Sequence, residues 1–101
     1  MINRGGEKIW CYDVENEISS IAGVQDVAVV GIPDELYGEV AAAIVVPETG
    51  TAVLPESIQN YLKTRMAKYK IPVKICLVDK VPQTPNGKTD KIKIKKMLME
   101  D

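Results

Sequence analysis

The sequence predicts a small α+β domain, a three-stranded and mainly antiparallel sheet flanked by helices in the order α-β-β-α-β-α. Three observations carry this reading. Apolar residues recur at helical spacing in three separated stretches. Between those stretches lie three short runs of strand length, rich in valine and isoleucine. Prolines and glycines fall at the joins. The 101 residues are the size of one domain, so 1–101 is read as a single unit. A chain this short buries only about two thirds of its unfolded surface, which keeps the core modest.

The first helix is read in "DVENEISSIAG" (13–23), where Val14, Ile18, Ile21 and Ala22 share one face. Asp13 and Glu15 suit the positive end of the helix dipole, and Gly23 stands as a stop. "VQDVAVVGI" (24–32) reads as a buried strand, "PDELYGE" (33–39) as a loop and "VAAAIVV" (40–46) as a second buried strand. Two strands joined by so short a loop are expected to pair as an antiparallel hairpin. After the loop "PETGTAVL", Pro55 opens a second helix carrying Ile58, Tyr61, Leu62, Met66 and Tyr69. Pro72 ends it, because the residue before a proline is pushed out of the helical region. "VKICLVDKV" (73–81) is the third strand. "DKIKIKKMLM" (90–99) is read as a last helix, capped by Asp90, with Ile94, Met97 and Leu98 on one face. Its "KIKIKK" alternation also fits a strand.

Composition excludes several classes of function. Net charge is −1, so the chain as a whole exerts no pull on nucleic acid or anionic membrane. It has no histidine, the commonest general base and metal ligand. Cys11 and Cys76 form no metal-binding or redox pattern; they read as buried thiols, with a disulfide as the alternative. The start "MINRGGEKIW" has no apolar run of signal length, and no stretch approaches the ~18 apolar residues of a membrane span. A cytoplasmic location is the expectation.

Three stretches invite chemistry. "GKT" (87–89) follows a strand and precedes a helix, like the end of a phosphate-binding loop. The full motif needs glycine where this chain has Pro82, and Pro82 and Pro85 lack the backbone N–H groups that cradle phosphate. The lysines Lys88, Lys91, Lys93, Lys95 and Lys96 make a basic tail, but without interleaved aromatics or arginines it reads as a solvated helix face. "NRGGEK" (3–8) reads on its own as a turn whose paired glycines permit positive φ or close approach of a ligand. Taken alone, Lys88 is a surface lysine on a proline-stiffened loop.

In order and spacing, "INRGGEKIWCYDVENEI", "GVQDVAVVGIPDELYGEVAAAIVV" and "YKIPVKICLVDKVPQTPNGKTDK" resemble the C-terminal domain of the adenylate-forming enzymes. That superfamily comprises acyl- and aryl-CoA synthetases, peptide-synthetase adenylation domains and luciferases. The resemblance covers nearly the whole chain. It implies a mobile lid domain of a larger two-domain enzyme, whose N-terminal ATP- and acyl-binding domain this sequence does not contain. Such an enzyme joins a carboxylic acid to ATP and then passes the acyl group to the thiol of coenzyme A or of a carrier-protein pantetheine. The small domain rotates between the two steps.

The resemblance implies specific roles. Pro82, Gly87 and Lys88 fill the family's "P-x-x-x-x-G-K" signature, which makes Lys88 the catalytic lysine of adenylation. Gly5, Gly6 and Lys8 fall in the block that faces coenzyme A or pantetheine, with Gly6 as the glycine lining the thiol tunnel. Cys11 departs from the proline found there in many members. ATP, coenzyme A and Mg2+ are implied for the full-length enzyme, and no cofactor for this domain alone. The implied partner is the N-terminal adenylation domain, on the same chain or as a separate subunit. The chain is thus expected to be an excised piece, a proteolytic fragment or a separate subunit, inactive alone. The preferred reading is an acyl-CoA synthetase. The alternatives are an aryl- or amino-acid adenylating enzyme that loads a carrier protein, and a non-catalytic module that uses its basic tail. Nucleic acid is not an expected partner.

Overall fold

The computed structural model describes residues 1–100. Strand β1 (Ile2–Arg4) and strand β2 (Glu7–Ile9) form a hairpin at the N-terminus. Helix α1 (Cys11–Ser19) leads into the two longest strands, β3 (Val24–Asp34) and β4 (Gly38–Pro47). Helix α2 (Pro55–Lys63), a 3-10 turn (Lys68–Lys70) and strand β5 (Lys74–Leu77) follow, and helix α3 (Lys91–Met99) closes the chain.

The expected α+β class holds, with a five-stranded sheet where three strands were expected. The two additional strands are β1 and β2, only three residues each. Segments that short carry too little alternation to announce themselves as strands. β3 and β4 pair antiparallel from Val24↔Pro47 to Asp34↔Gly38, as the hairpin reading requires. β5 runs parallel to β4, from Ala42↔Lys74 to Val45↔Leu77, so the sheet is mixed. β1 joins the same edge of β4 lower down, at Arg4↔Gly38.

β4 is the central strand, and its residues 40–46 are buried throughout. Alternate residues face opposite sides. Ala41, Ala43 and Val45 pack with Val14 and Ile18 of α1 and Ile58 and Leu62 of α2. Ala42, Ile44 and Val46 pack with Ile94 and Leu98 of α3. The result is three layers with α1 and α2 on one face of the sheet and α3 on the other. This double burial explains why the strand reads as an unbroken apolar run.

The boundaries move for local reasons. β3 continues through Pro33, which sits near the strand end, so the expected loop shrinks to Glu35–Tyr37. Asp34 sets that turn: its Oδ2 accepts from the N–H groups of Leu36 at 3.0 Å and Tyr37 at 2.9 Å. α1 ends at Ser19, leaving Ile21 half-buried and Ala22 exposed, contrary to the expected helical face. α2 stops at Lys63; Met66 and Tyr69 reach the core from the following turn and the 3-10 segment. The third strand is shorter than its apolar run. Cys11 and Cys76 are free and half-buried, which removes the disulfide alternative. The "KIKIKK" segment is helical, and Asp90 caps it, its Oδ1 accepting from the Lys93 N–H at 3.1 Å.

Among the described residues no helix is long and apolar enough to cross a membrane.

Leu98 is 1% exposed and anchors α3. Leu98→Ala is expected to destabilise the domain by about 2–5 kcal/mol, read as a lower urea midpoint with an unchanged slope.

Candidate functional site

The segment 82–90 folds back on itself as a small hairpin. Thr84, Pro85, Asn86 and Gly87 form a turn in which the Gly87 N–H donates to the Thr84 carbonyl at 2.9 Å. Proline at the second position and glycine at the fourth are the residues this turn type favours. Gly87 has φ +82, and the Thr84 N–H donates to the Lys88 carbonyl at 2.7 Å. This is the three-residue hairpin loop closed by a left-handed glycine. The arms are tied by a Gln83↔Thr89 bridge, by the Asp90 N–H to the Pro82 carbonyl at 2.9 Å, and by the Lys88 N–H to Thr84 Oγ1 at 3.3 Å. Each of these bonds to Lys88 uses its backbone. The side chain is left exposed, on a base held from both sides.

The second stretch, Arg4 to Lys8, is also a hairpin tip. Arg4 pairs with Glu7, so only Gly5 and Gly6 turn the chain, with φ +54 and +94. Positive φ at both positions is what a two-residue turn between twisted strands demands. The Gly5 N–H donates to the Tyr37 carbonyl at 2.8 Å, which ties the tip to the β3–β4 turn. A side chain on Gly5 would press on Tyr37 Cδ1 at 3.2 Å, whereas one on Gly6 would meet nothing within 4 Å. The turn reading of this stretch holds: Gly6 is a turn glycine with clear space before it. Lys8 is exposed on β2.

The structure does not bring Lys88 and the Gly5–Gly6 tip together. The tip joins the sheet at Gly38, the start of β4. Gln83, at the base of the Lys88 loop, shares a cleft with Val46 near the other end of that strand. Gly38 to Val46 spans about 27 Å at roughly 3.4 Å per residue. The helix α3 lysines are on neither hairpin. Lys91, Lys93, Lys95 and Lys96 are exposed, as a solvated face requires.

Sequence reasoning missed a third feature. Arg4, Gln59, Lys63 and Lys68 line a concavity of about 230 Å³ together with the segment 71–73. Its residues come from β1, α2 and the 3-10 region, so no contiguous motif exists to reveal it. Among the described residues no group of three or more His, Cys, Asp or Glu stands ready to hold a metal ion, so none is assigned as a magnesium ligand.

Residues 13–88 match the family model of the AMP-binding enzyme C-terminal domain. The chain is 43% identical over 88 residues to a long-chain-fatty-acid–CoA ligase, FadD13, of Mycobacterium tuberculosis, covering 87% of this chain and 17% of that protein. It is 42% identical over 88 residues to a feruloyl-CoA synthase of an Amycolatopsis species, covering 87% and 18%. A solved M. tuberculosis fatty acyl CoA synthetase superposes with a TM-score of 0.85 at 40% identity, covering 96% of this chain and 19% of that one. The chain therefore spans under a fifth of the length of these relatives.

Gly87→Ala is expected to cost about 1–2 kcal/mol, because its φ is unfavourable for an L side chain although space is open. Amide exchange at Thr84 and Asp90, the amides bonded across the loop, should quicken with it; unchanged exchange there would mean that the glycine does not hold the loop.

Proposed function

This chain belongs to the AMP-binding enzyme C-terminal domain family, and we propose that it serves as the mobile lid of an ATP-dependent acyl-CoA synthetase. The observation that carries the reading is the separation of the two glycine-turned hairpins along β4. A rigid domain with Lys88 at one end and the Gly5–Gly6 tip at the other cannot offer both to one active site in a single pose. Rotating the domain would offer them in turn, one for each half-reaction. The partner is an N-terminal adenylation domain that holds ATP and the carboxylic acid, in a cytoplasmic setting where ATP and coenzyme A are at hand.

In adenylation, a carboxylate attacks the α-phosphate and negative charge builds on the phosphoryl oxygens. Lys88 is exposed on a braced loop, so its ammonium is free to enter another domain's cleft. A cation that arrives on closure stabilises the transition state more than the ground state. The compact charge of lysine suits this role, because it needs no fixed plane of approach. ATP supplies the leaving pyrophosphate, and a Mg2+ ion would serve the triphosphate from the partner domain.

In thioester formation, the tip of the β1–β2 hairpin faces the acyl-adenylate instead. Gly6 presents bare backbone to open space, enough for a thin thiol arm to pass. Lys8, exposed on the same hairpin, places a positive charge near the path of that arm.

Assembled with its adenylation domain, Lys88→Ala should lower pyrophosphate exchange roughly 10²-fold or more and spare thioester formation from pre-made acyl-adenylate. An equal fall in both halves would remove the assigned role. Gly6→Leu should do the reverse, blocking the thioester half and sparing exchange. Thermal melting controls for turn strain at φ +94. Normal thioester formation in a folded Gly6→Leu enzyme would take Gly6 off the thiol path.

A further inference from the structure

Gly31 stands inside β3, where no turn calls for it. Its φ is not positive, so the backbone there would accept an ordinary residue. A glycine within a strand marks a bulge or a close approach. The register shift of β3 lies between Val24 and Asp26, away from Gly31, which leaves close approach. A Cβ on Gly31 would stand 2.7 Å from Glu39 Oε2 and 3.1 Å from Ile2 Cγ1. Two side chains therefore fill the space above this glycine, one from β4 and one from β1.

Ile2 belongs to a strand that is not a neighbour of β3. β1 and β3 flank β4 on opposite edges. Strands two places apart in a flat sheet are about 10 Å from each other. For Ile2 to reach Gly31, β1 must rise out of the sheet and lean across the face of β4. Among the described residues it pairs in register with β4 at Arg4↔Gly38 alone. The lean buries Ile2 in the core that holds Val14 and Ile18 of α1. It also lifts the Asn3 N–H away from the Glu39 carbonyl, which a continued antiparallel ladder would offer it. That N–H donates to the carboxylate of Glu39 instead, at 3.0 Å from Oε1.

Asn3, Arg4 and Gly5 thus meet Glu39, Gly38 and Tyr37 in antiparallel order. The Gly5 N–H is met by a backbone carbonyl and the Asn3 N–H by a side chain. A bond to an ionised acceptor is the stronger kind. One oxygen of Glu39 holds β1, and the other rests over the bare Cα of Gly31. An alanine at 31 could be admitted by swinging the carboxylate aside, but the swing would break its bond to Asn3.

We propose that Glu39 is the positioning residue of the N-terminal hairpin: seated over Gly31, its carboxylate fixes the angle at which β1 leaves β4 and so aims the Gly5–Gly6 tip. The proposal rests on the thioester role assigned to that tip above, and adds the group that sets its aim. Glu39 acts through the backbone of Asn3 rather than on a reacting atom. The Lys88 loop, near the other end of β4, lies outside its reach.

The tether is read first in the chain itself, by amide chemical shifts. Glu39→Ala should move the Asn3 amide proton upfield and shift Gly5 and Gly6, leaving Thr84 and Asp90 in place. Glu39→Gln keeps an accepting oxygen and should hold Asn3 near its original shift. Gly31→Ala should repeat the Glu39→Ala pattern with Glu39 intact. An unmoved Asn3 resonance in Glu39→Ala, or in a folded Gly31→Ala chain, would overturn the tether. The contrast of Glu39→Ala with Glu39→Gln decides the point even where Gly31→Ala does not fold.

Assembled with the adenylation domain, Glu39→Ala should slow thioester formation from pre-made acyl-adenylate about tenfold or more, since small misplacements near a reacting geometry are costly. Pyrophosphate exchange should stay unchanged, and Glu39→Gln should restore most of the thioester rate. An equal fall in both halves would mark Glu39 as merely structural. A normal thioester rate in Glu39→Ala with Asn3 displaced would refute the positioning role and leave the lid role standing. Failure of the unmutated assembly to form any thioester would instead refute the lid role, and the Asn3 resonance would still decide the tether.

Discussion

The structure depends on one strand being buried on both faces and paired on both edges. β4 carries β3 along one edge and β1 and β5 along the other. Its side chains from Ala41 to Val46 alternate between two cores. Three alanines, Ala41, Ala42 and Ala43, keep the middle of the strand thin on both sides, so that α1 and α2 on one face and α3 on the other can approach. Sliding the strand by one residue would exchange the two cores, and register is therefore strongly specified. Every other element takes its position from this strand.

The two hairpin tips inherit that rigidity by similar means. Each is turned by glycine at positive φ, and each is tied mainly by backbone hydrogen bonds. The Lys88 loop is closed on itself by its own carbonyls and Thr84. The β1–β2 tip is closed against the β3–β4 turn through Tyr37. Backbone ties leave the side-chain positions free for function. One tip presents a long cation and the other presents no side chain at all. The two hairpins are complementary in what they expose, and their separation along β4 is what the proposed sequential use rests on.

The sequence disclosed the fold wherever periodicity was long enough to read. The apolar run 40–46, the Pro55 helix start and the Asp90 cap all stand where local chemistry placed them. The six residues of β1 and β2 were not legible, because a three-residue strand has no period. Nor was the parallel pairing of β5, which depends on how α2 crosses the sheet rather than on anything within Lys74–Leu77. The same rule separates the sites. Lys88 and the glycine pair were visible because each lies in a contiguous motif. The cationic concavity was not, because Arg4, Lys63 and Lys68 meet only after three segments fold together.

A catalytic lysine kept on an exposed loop has a physical advantage over one built into a finished site. Burial disfavours the charged form, so an ammonium stored in an apolar cleft would drift toward neutrality. On the proposed reading, Lys88 stays hydrated on its exposed loop and loses that hydration only on entering the partner's cleft. There the anionic phosphate and the charge developing on it replace the lost water. The desolvation cost falls in the closed pose alone, where the cation is used, and is recovered when the lid turns away. On that reading, mobility is the condition that would let one lysine be hydrated before the reaction and closely engaged during it. It also clears the cleft for the second hairpin, whose bare glycine tip would serve no purpose while the first one occupied the site.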